Sequence, residues 1–512
     1  MDVQQHTNRE FDLLVIGGGI TGAGITLDAQ SRGLSTCLVE MQDFAAGTSS
    51  RSTKLIHAGI RYMKQGNFSL VKETGRERSI LTNIAPHLSR PIEVFIPIYN
   101  KKNQGYKKWQ LTLAMYFFEW LVKVPKKQRH RSYSKKEAFE KEPLVNQEDL
   151  IGAISYTERI TDDARLVLSN LLKARDLGAA CYNYLKVESF LSNEGDYKII
   201  KCVHQLTGEE IIIKAKNIVN ATGPWVDEIR KLENQHVAKK LILTKGIHLV
   251  FRKEKFPIHS AIYFPATDNR MVFAIPREEK VYIGTTDTFY KADKQHPTVT
   301  QEDVSYLLQA INAKFLIALT VEDIESAWSG LRPLVGEEGK KPSEISRKDE
   351  IFISDSGIIS IAGGKLTGYR LMAKKVVDLL SSVATKTETI VLKGGEKVEN
   401  ELPSTSYVKQ LRSIYGSDAN QIVTIYDSLV DKDDTWRQLK AMLLYSLKNE
   451  WVVKPSDFVT RRIGFTYFNK PLVEHYKEKL LQEMGEQLCW SEKEATCMRA
   501  DLESALYEIY SN

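Results

Sequence analysis

The glycine-rich turn Gly17-Gly18-Gly19-Ile20-Thr21-Gly22 constrains the fold of this chain more than any other feature. It follows Phe11–Ile16, a compact apolar run that is typical of a buried parallel strand. A segment of helical character begins at Ile20 and ends near Arg32, and Ser35–Glu40 is a second apolar run. Strand, helix and strand in this order predict a βαβ unit.

The glycines of such a unit have separate physical roles. The first allows a tight turn, the second lets a diphosphate approach the backbone, and the third lets the helix pack on the strand. Free N–H groups at the helix N-terminus attract the diphosphate. Glu40 ends the second strand, where a carboxylate accepts hydrogen bonds from a ribose. A dinucleotide site containing Gly17, Gly18, Gly19, Gly22 and Glu40 is therefore predicted.

Two further glycine elements lie far downstream. Ala221-Thr222-Gly223 ends an apolar strand, and Gly363-Gly364 precedes a helix that begins near Tyr369. A strand that ends in small residues lets its backbone approach the same dinucleotide, and a Gly-Gly pair at a helix N-terminus can hold the negatively charged edge of a flavin ring. Three glycine elements spread over so much of the chain favour a long cofactor, so FAD is predicted rather than NAD.

The composition excludes several classes of function. A chain of 512 residues requires two or three domains. The net charge of +6 suits an anionic ligand or anionic lipid but is too small for a nucleic-acid-binding protein. Five scattered cysteines support neither a disulfide framework nor a metal site. The short polar N-terminus and the most apolar stretch, Leu111–Val124, predict neither a signal peptide nor a membrane span.

The order of the remaining segments predicts three structural regions. Helix and strand signals alternate between 150 and 215, a strand is predicted over Glu210–Ala215 and another over Asn217–Gly223, and an antiparallel sheet follows within 240–290. Gly, Pro, Ser and Thr residues then predict a linker. We expect an oxidoreductase region over 1–390, a linker over 391–404 and a helical domain over 405–512. Segments 10–90, 150–230 and 350–390 of the first region are expected to bind FAD, and segments 91–149 and 231–349 to form the substrate domain.

The segment Gly47–Tyr62 contains many hydroxyl and basic side chains, and by itself could be a solvated basic loop. Together with other motifs it resembles the FAD-dependent glycerol-3-phosphate dehydrogenases, and the resemblance covers essentially the whole chain. The matching motifs are Gly17–Gly22, Thr48–Ser50, Lys54–Tyr62, Ala85–Leu88, Asn220–Trp225, Lys245-Gly246, His248, Ile283–Asp287, Gly330–Leu334, Ile345–Arg347, Gly363–Thr367, Tyr369-Arg370, Asp457-Phe458 and Arg461-Arg462.

The resemblance implies an α/β fold. It comprises a Rossmann-type FAD-binding domain (glutathione-reductase-like or DAO-like), an antiparallel-sheet substrate domain and a C-terminal all-α domain. It also implies oxidation of sn-glycerol 3-phosphate to dihydroxyacetone phosphate, with hydride passing from C2 to flavin N5. Besides the glycine turn and Glu40, the implied cofactor-binding residues are Thr48, Ser49, Ser50, Lys54, Leu55, Val187, Ala221, Thr222, Gly223, Gly364, Lys365, Leu366 and Thr367.

The phosphate group of this substrate requires fixed cationic donors, and arginine binds it bidentately. Arg61, Arg332 and Lys365 match positions of the family, and Arg270 is a further candidate. The matched charged residues also argue against a flavoprotein without catalysis. A flavin amine or amino-acid oxidase, which shares the FAD fold, would need a carboxylate-binding arginine without this additional set of cations.

The C2 hydroxyl of the substrate must lose its proton to a general base. His57 is favoured for this role by its position beside the flavin-binding loop. His248 is the alternative, since it lies on a strand expected to face the substrate. For either histidine, the other interpretation is a hydrogen-bonded structural residue. Tyr62 is a candidate donor to a substrate oxygen, with a packing role as the alternative.

Members of this family reduce either membrane quinone or oxygen. The oxidases carry a long insertion between the Arg-Pro and Ser-Arg elements, whereas only a short connection separates Pro333 from Ser346 here. A quinone acceptor is therefore favoured, and an oxygen-reducing glycerol-3-phosphate oxidase is the alternative.

A quinone acceptor lies in lipid, so a peripheral membrane contact is expected. Within 101–131, basic residues flank Trp109, Tyr116–Phe118 and Trp120, a composition that suits a lipid interface. A buried helix with solvated basic ends is the alternative. We expect a protein on the cytoplasmic face of the membrane that binds glycerol 3-phosphate and quinone but neither nucleic acid nor metal, with a homodimer as one candidate assembly.

Overall fold

The fold is described from a computed structural model. It describes residues 9–57, 59, 68–100, 108–234, 240–336, 348–398 and 402–507. The strands are β1 (Glu10–Ile16), β2 (Thr36–Val39), β3 (Leu55–Ile56), β4 (Arg90–Tyr99), β5 (Arg131–Ser134), β6 (Leu150–Ile160), β7 (Ala180–Tyr182), β8 (Leu185–Phe190), β9 (Lys198–His204), β10 (Glu210–Asn220), β11 (Leu241–Arg252), β12 (Ala261–Pro265), β13 (Met271–Arg277), β14 (Lys280–Gly284), β15 (Thr288–Phe289), β16 (Ile324–Val335), β17 (Glu350–Ile353) and β18 (Ile359–Ala362). The α-helices are α1 (Ile20–Ser31), α2 (Phe68–Ile84), α3 (Lys108–Val122), α4 (Lys135–Lys141), α5 (Asp163–Asp176), α6 (Val226–Glu233), α7 (Gln301–Asn312), α8 (Tyr369–Val377), α9 (Ser406–Tyr415), α10 (Ala419–Ser428), α11 (Asp434–Asn449), α12 (Phe465–Phe468), α13 (Lys470–Leu488) and α14 (Glu492–Tyr507).

The first sheet contains the βαβ unit that the glycine turn predicts. Its strand order is β17-β18-β10-β1-β2-β7, and β1 pairs in parallel with both β2 and β10. Leu13 and Val15 share an apolar core with α1, α5 and α8, whereas Leu14 and Ile16 face a core built with β8, β9 and β10. Both faces of β1 are covered, which explains why its sequence is almost continuously apolar.

The second sheet is mostly antiparallel and contains ten strands. β11 lies between β14 and β16 and is antiparallel to both, and β4 pairs antiparallel with β6. The β4–β12 pair is parallel. Val304, Leu307 and Ile311 of α7 pack in its apolar core. The register places Thr244 opposite Arg332 and His248 opposite Trp328, which brings these side chains into one region of the sheet.

The C-terminal helices α9–α14 have an apolar core of their own, which includes Leu411, Leu439, Phe458 and Val459. A polar contact joins this part of the chain to the helices of the first sheet, since Arg165 of α5 pairs with Glu450 at 2.7 Å. Within the parts of the chain that the structure describes, no helix combines the length and the apolar character needed to cross a bilayer.

The predicted fold class is confirmed: an α/β region with parallel pairing around the glycine turn, a largely antiparallel second sheet and a helical C-terminal part. One local prediction is wrong. The strands expected over Glu210–Ala215 and Asn217–Gly223 form a single strand, β10. Lys214 and Ala215 already pair with β1 while still pairing with β9, so no turn separates the two halves.

Candidate active site

The glycine turn connects β1 to α1 at the carboxyl end of the parallel strands. Gly17 has φ of 110°, a conformation that residues with side chains rarely adopt. A Cβ on Gly17 would lie 2.7 Å from the carbonyl oxygen of Ala221, and one on Gly22 would lie 1.9 Å from the carbonyl oxygen of Gly17. The first turn of α1 contains no acidic side chain, so its N-terminus suits an anion.

Glu40 is fixed at the end of β2 by the glycine turn itself. Its Oε2 accepts a hydrogen bond of 2.7 Å from the Gly18 N–H, and its Oε1 accepts one of 2.9 Å from the Gln42 N–H. Burial raises the pKa of this carboxyl. Each carboxylate oxygen retains a second lone pair, so the group can still accept hydrogen bonds from ribose hydroxyls.

A cavity of about 440 Å³ begins at the glycine turn and is lined by residues of both sheets. Its size falls in the range of sites that bind cofactors and other small molecules. A Cβ on Gly19 would meet only Ser49 Oγ, at 3.3 Å, so a larger side chain there would project into the cavity. The predicted cofactor residues that line the cavity are Gly17, Gly19, Glu40, Thr48, Ser49, Val187, Ala221, Thr222, Gly223, Gly364, Lys365 and Leu366.

The other predicted cofactor residues are buried and do not line this cavity; they are Gly18, Gly22, Ser50, Lys54, Leu55 and Thr367. Lys54 illustrates their arrangement. Its Nζ lies 2.5 Å from Asp163 Oδ1 and donates to the Ser50 carbonyl at 3.0 Å. The ammonium group therefore fixes the Thr48–Ser50 turn against the start of α5. In this way Lys54 supports the cavity residues Thr48 and Ser49 without lining the cavity itself.

The second sheet brings His248 and Arg332 into one region. The His248 ring stacks on Trp328 with centroids 4.7 Å apart, and its Nε2 lies 3.0 Å from Thr53 Oγ1. Burial, together with the positive charges of Arg332 and Lys54, lowers the pKa of His248 well below its usual value. His248 is therefore neutral at physiological pH.

Arg332 and Arg270 converge on Asp287. Arg332 Nη1 lies 3.2 Å from Asp287 Oδ1, and its Nη2 donates to Thr285 Oγ1 at 2.9 Å. Arg270 Nη1 donates to the Asp287 backbone carbonyl at 3.4 Å. A Cβ on Gly246 would lie 2.1 Å from Arg332 Nη2, so this glycine leaves space for the guanidinium. Arg270 also pairs with Asp268 at 2.6 Å, so both guanidinium groups, which are donors suited to an anionic ligand, are held in fixed positions.

Arg332 lies next to the cavity. The carbonyl of Leu331 accepts a hydrogen bond of 2.7 Å from Thr48 Oγ1, and Pro333 lines the cavity together with Thr48. The backbone of β16 next to Arg332 therefore borders the cavity, whereas the Arg332 side chain contacts Thr285 and Asp287.

Comparisons with known proteins agree with this geometry. A family model described as FAD dependent oxidoreductase matches residues 12–370, and one described as the C-terminal domain of alpha-glycerophosphate oxidase matches residues 385–495. The chain is 43% identical over 531 residues to an aerobic glycerol-3-phosphate dehydrogenase from Staphylococcus aureus, covering 98% of this chain and 95% of that protein. The chain belongs to the FAD-dependent glycerol-3-phosphate dehydrogenase family.

Solved structures extend the comparison. A glycerol-3-phosphate dehydrogenase from Bacillus halodurans, complexed with FAD, is 38% identical with a TM-score of 0.83, covering 99% of this chain and 96% of that one. An L-alpha-glycerophosphate oxidase from Mycoplasma pneumoniae with FAD bound is 18% identical with a TM-score of 0.58, covering 74% of this chain and 97% of that one, and shares the fold. FAD is therefore the cofactor of this family member, and the glycine turn, Glu40 and the cavity fit it.

Of the predicted site residues not yet located, His57 lies within the described part of this dehydrogenase-family chain and Arg61 and Tyr62 lie outside it. His57 directly follows β3, is half-buried, and its backbone carbonyl accepts a hydrogen bond of 3.3 Å from Thr367 Oγ1. This contact places His57 beside the Gly363–Thr367 element. Arg61 and Tyr62 lie outside the residues that the structure describes, as does most of the connection between Pro333 and Ser346.

Sequence reasoning assigned no role to Asp287 or Trp225. Asp287 ends the matched motif Ile283–Asp287, where a carboxylate after two threonines was the available signal. Trp225 lines the cavity and would lie 3.2 Å from a Cβ on Gly47. Within the described residues, no group of three or more His, Cys, Asp or Glu side chains could hold a metal ion.

Proposed function

We propose that this chain oxidises sn-glycerol 3-phosphate to dihydroxyacetone phosphate with FAD as its cofactor. The position of Arg332 carries this proposal: Arg332 directly precedes Pro333, which lines the FAD cavity, and its guanidinium pairs with Asp287, whose backbone carbonyl accepts a hydrogen bond from Arg270. A small phosphorylated alcohol bound there would direct its phosphate to the arginines and its carbinol carbon to the cavity. The names of relatives that are 43% and 38% identical support the same substrate.

In this proposal, Arg332 and Lys365 are the principal hydrogen-bond donors to the substrate phosphate. Lys365 lines the cavity, and Arg332 lies on β16 directly before the cavity residue Pro333. Arg270 is partly committed to Asp268, at 2.6 Å, and lies 4.4 Å from the centre of the Tyr306 ring, so we assign it a supporting role. Fixed cations recognise a dianion without reorganising, which favours glycerol 3-phosphate over glycerol.

We assign the general base to His57. His248 is 2% exposed, stacked on Trp328 and engaged by Thr53, and these contacts suit a residue that supports the site. His57 is half-buried beside the element that contains Lys365. In its neutral form it would accept the proton of the C2 hydroxyl. When bound, FAD would provide the flavin ring that accepts the hydride leaving C2.

We further propose a quinone as the final electron acceptor and a peripheral membrane contact on helix α3. Five large side chains follow one face of this helix and point to solvent, with exposed fractions from 39% for Phe117 to 72% for Trp120; they are Trp109, Leu113, Tyr116, Phe117 and Trp120. Leu111, Met115 and Phe118 on the opposite face are buried. The helix therefore has a second apolar face that the described parts of the chain leave largely exposed.

The residues that follow α3 match this face to an anionic lipid surface. Lys126, Lys127, Arg129 and Arg131 are exposed directly after the helix. Aromatic side chains partition to the headgroup region, and each basic residue near anionic lipid contributes about 1 kcal/mol. A cytoplasmic membrane face would supply such lipid and the quinone.

Anaerobic mixing with glycerol 3-phosphate tests the proposed oxidation directly. The flavin absorbance should bleach with this substrate but not with glycerol at the same concentration. Reoxidation by a soluble quinone, compared with reoxidation by oxygen, separates the proposed dehydrogenase from an oxidase. A flavin that bleaches with amino acids instead would favour an amino-acid oxidase.

A further inference from the structure

A buried charge cluster joins the C-terminal helical domain to the wall of the FAD cavity. It consists of Asp43 from the segment after β2, Tyr184 from the segment before β8, and Asp457, Arg461 and Arg462 from the C-terminal domain. We call it the Asp43 cluster. The two aspartates and two arginines balance in charge. The cluster is distinct from the residues assigned above to phosphate recognition and proton transfer.

Asp43 is held by both arginines. Arg462 binds it bidentately, with Nη1 at 2.6 Å from Oδ2 and Nη2 at 2.8 Å from Oδ1, and Arg461 Nε lies 2.5 Å from Oδ2. The side chains of Asp43 and Arg462 are fully shielded from solvent. Burial alone would raise the pKa of Asp43, but Arg462 and Arg461 lower it to about 2. Asp43 is therefore an ionised carboxylate in the protein interior.

The arginines are themselves fixed within the C-terminal domain. Arg462 donates to the backbone carbonyl of Glu450 through Nε at 2.9 Å and Nη2 at 2.6 Å. Asp457 accepts hydrogen bonds from the N–H groups of Val453 and Lys454 and one from the Tyr184 hydroxyl at 2.6 Å. These contacts within the C-terminal domain hold the guanidinium groups in position to bind Asp43.

The segment that carries Asp43 forms part of the cavity wall. Glu40, Met41, Gln42 and Ala46 line the cavity, whereas Asp43 points away from it into the cluster. The Glu40 carboxylate accepts from the Gly18 N–H, and the Ala45 N–H donates to the Gly18 carbonyl at 3.0 Å. Residues 40–46 therefore hold the glycine turn at two points.

An aromatic contact follows the same route. Phe44 is fully buried, and its ring meets Trp451 of the C-terminal domain edge to face with centroids 5.1 Å apart. On its other side, Phe44 would lie 2.6 Å from a Cβ on Gly18. Two neighbouring residues, one charged and one aromatic, thus connect the C-terminal domain to the glycine turn.

We propose that the C-terminal helical domain contributes to FAD affinity, with Asp43 as the positioning residue through which Arg461 and Arg462 hold Glu40 and the glycine turn. To bind the adenosine end of the cofactor, the segment 40–46 has to hold Glu40 in a fixed position relative to Gly18. A loop without further contacts would not fix this position. A doubly bound buried carboxylate fixes it, because displacing Asp43 leaves buried charges without partners. The inference concerns FAD binding and does not depend on which substrate is oxidised.

The test is the FAD dissociation constant of the full-length apoprotein, measured by titrating the flavin and following its fluorescence. Asp43→Asn keeps the shape of the side chain and removes its charge, and Arg461→Gln is a milder change at the edge of the cluster. Loss of one charge-assisted hydrogen bond predicts a roughly ten- to hundredfold weaker FAD affinity. At saturating FAD, the KM for glycerol 3-phosphate should stay at the parental value.

Glu450→Gln is the matched control. It removes the buried side-chain ion pair with Arg165, at 2.7 Å, which also joins the two parts of the chain, and it keeps the Glu450 backbone carbonyl to which Arg462 donates. It should lower the melting temperature of the apoprotein and leave the FAD dissociation constant within about twofold. If Asp43→Asn does not fold, Arg461→Gln decides. Parental FAD affinity in the Asp43 cluster variants, or an equal loss of affinity in Glu450→Gln, would overturn the proposal.

Discussion

Arg332 and Asp287 form an ion pair with Nη1 and Oδ1 3.2 Å apart, and the backbone carbonyl of the same aspartate accepts a hydrogen bond from Arg270. Asp287 thus orients one arginine with its side chain and anchors the other with its backbone. Both cations are held in fixed positions by these contacts, which gives the proposed phosphate site a rigid geometry.

Arg332→Ala and Lys365→Ala should each raise the KM for glycerol 3-phosphate, because each leaves part of the phosphate charge unmatched. Loss of a charged hydrogen bond costs on the order of 1.5–3 kcal/mol, or roughly ten- to hundredfold in kcat/KM. Steady-state kinetics measures this, with Arg252→Ala at the exposed end of β11 as the control. Variants that lose activity on glycerol and glycerol 3-phosphate in equal proportion would show that neither residue recognises phosphate.

The local parts of this site follow from the sequence, and the long-range parts do not. The glycine turn and Glu40 lie within one βαβ unit, so strand, turn and helix signals place them together before any tertiary contact is known. Asp43 and Arg462 are 419 positions apart, and no periodicity or spacing pairs them. The merging of two expected strands into β10 likewise depends on its simultaneous pairing with β1 and β9, which a single strand's sequence does not encode.

Replacing the proposed base should separate proton transfer from binding. His57→Asn should lower the rate of flavin reduction by about 10²- to 10⁴-fold, since general-base catalysis contributes that much. His248→Asn should lower the melting temperature and slow reduction less, because it disrupts the stack on Trp328. Stopped-flow reduction under anaerobic conditions measures both. The reverse order of rate losses would move the base to His248.

The exposed face of α3 should bind anionic liposomes. Trp109→Glu with Trp120→Glu, or charge reversal of Lys126, Lys127 and Arg129, should abolish co-flotation with liposomes that contain phosphatidylglycerol, and added salt should weaken binding of the parent. Val430→Glu is the control, since Val430 is exposed on another part of the chain. Undiminished flotation of the tryptophan variant would exclude this helix as the contact.

His87 should make the protein less stable in mild acid. Burial, followed by the charges of Arg165 and Arg90, lowers the pKa of His87 from 6.5 to about 3. The unfolded chain therefore takes up a proton below about pH 6.5 that the native state refuses, so stability falls between about pH 6.5 and pH 3. The loss at pH 5 is about 2 kcal/mol.

Urea unfolding at pH 7 and pH 5 measures this effect. In His87→Leu, the difference between the unfolding free energies at pH 7 and pH 5 should be smaller than in the parent by about 2 kcal/mol. An unchanged difference would mean that His87 takes up its proton equally in the folded and unfolded states.

The proposed oxidation requires that the cavity bind FAD and that glycerol 3-phosphate, bound next to the flavin, reduce it. The decisive measurement is an anaerobic titration of the FAD-loaded protein with sn-glycerol 3-phosphate, followed by the flavin absorbance. We expect complete bleaching with this substrate, formation of dihydroxyacetone phosphate in equal amount to the FAD reduced, and rapid reoxidation by quinone. A flavin that stays oxidised with glycerol 3-phosphate, while a reductant of different chemistry bleaches it, would refute the proposed oxidation.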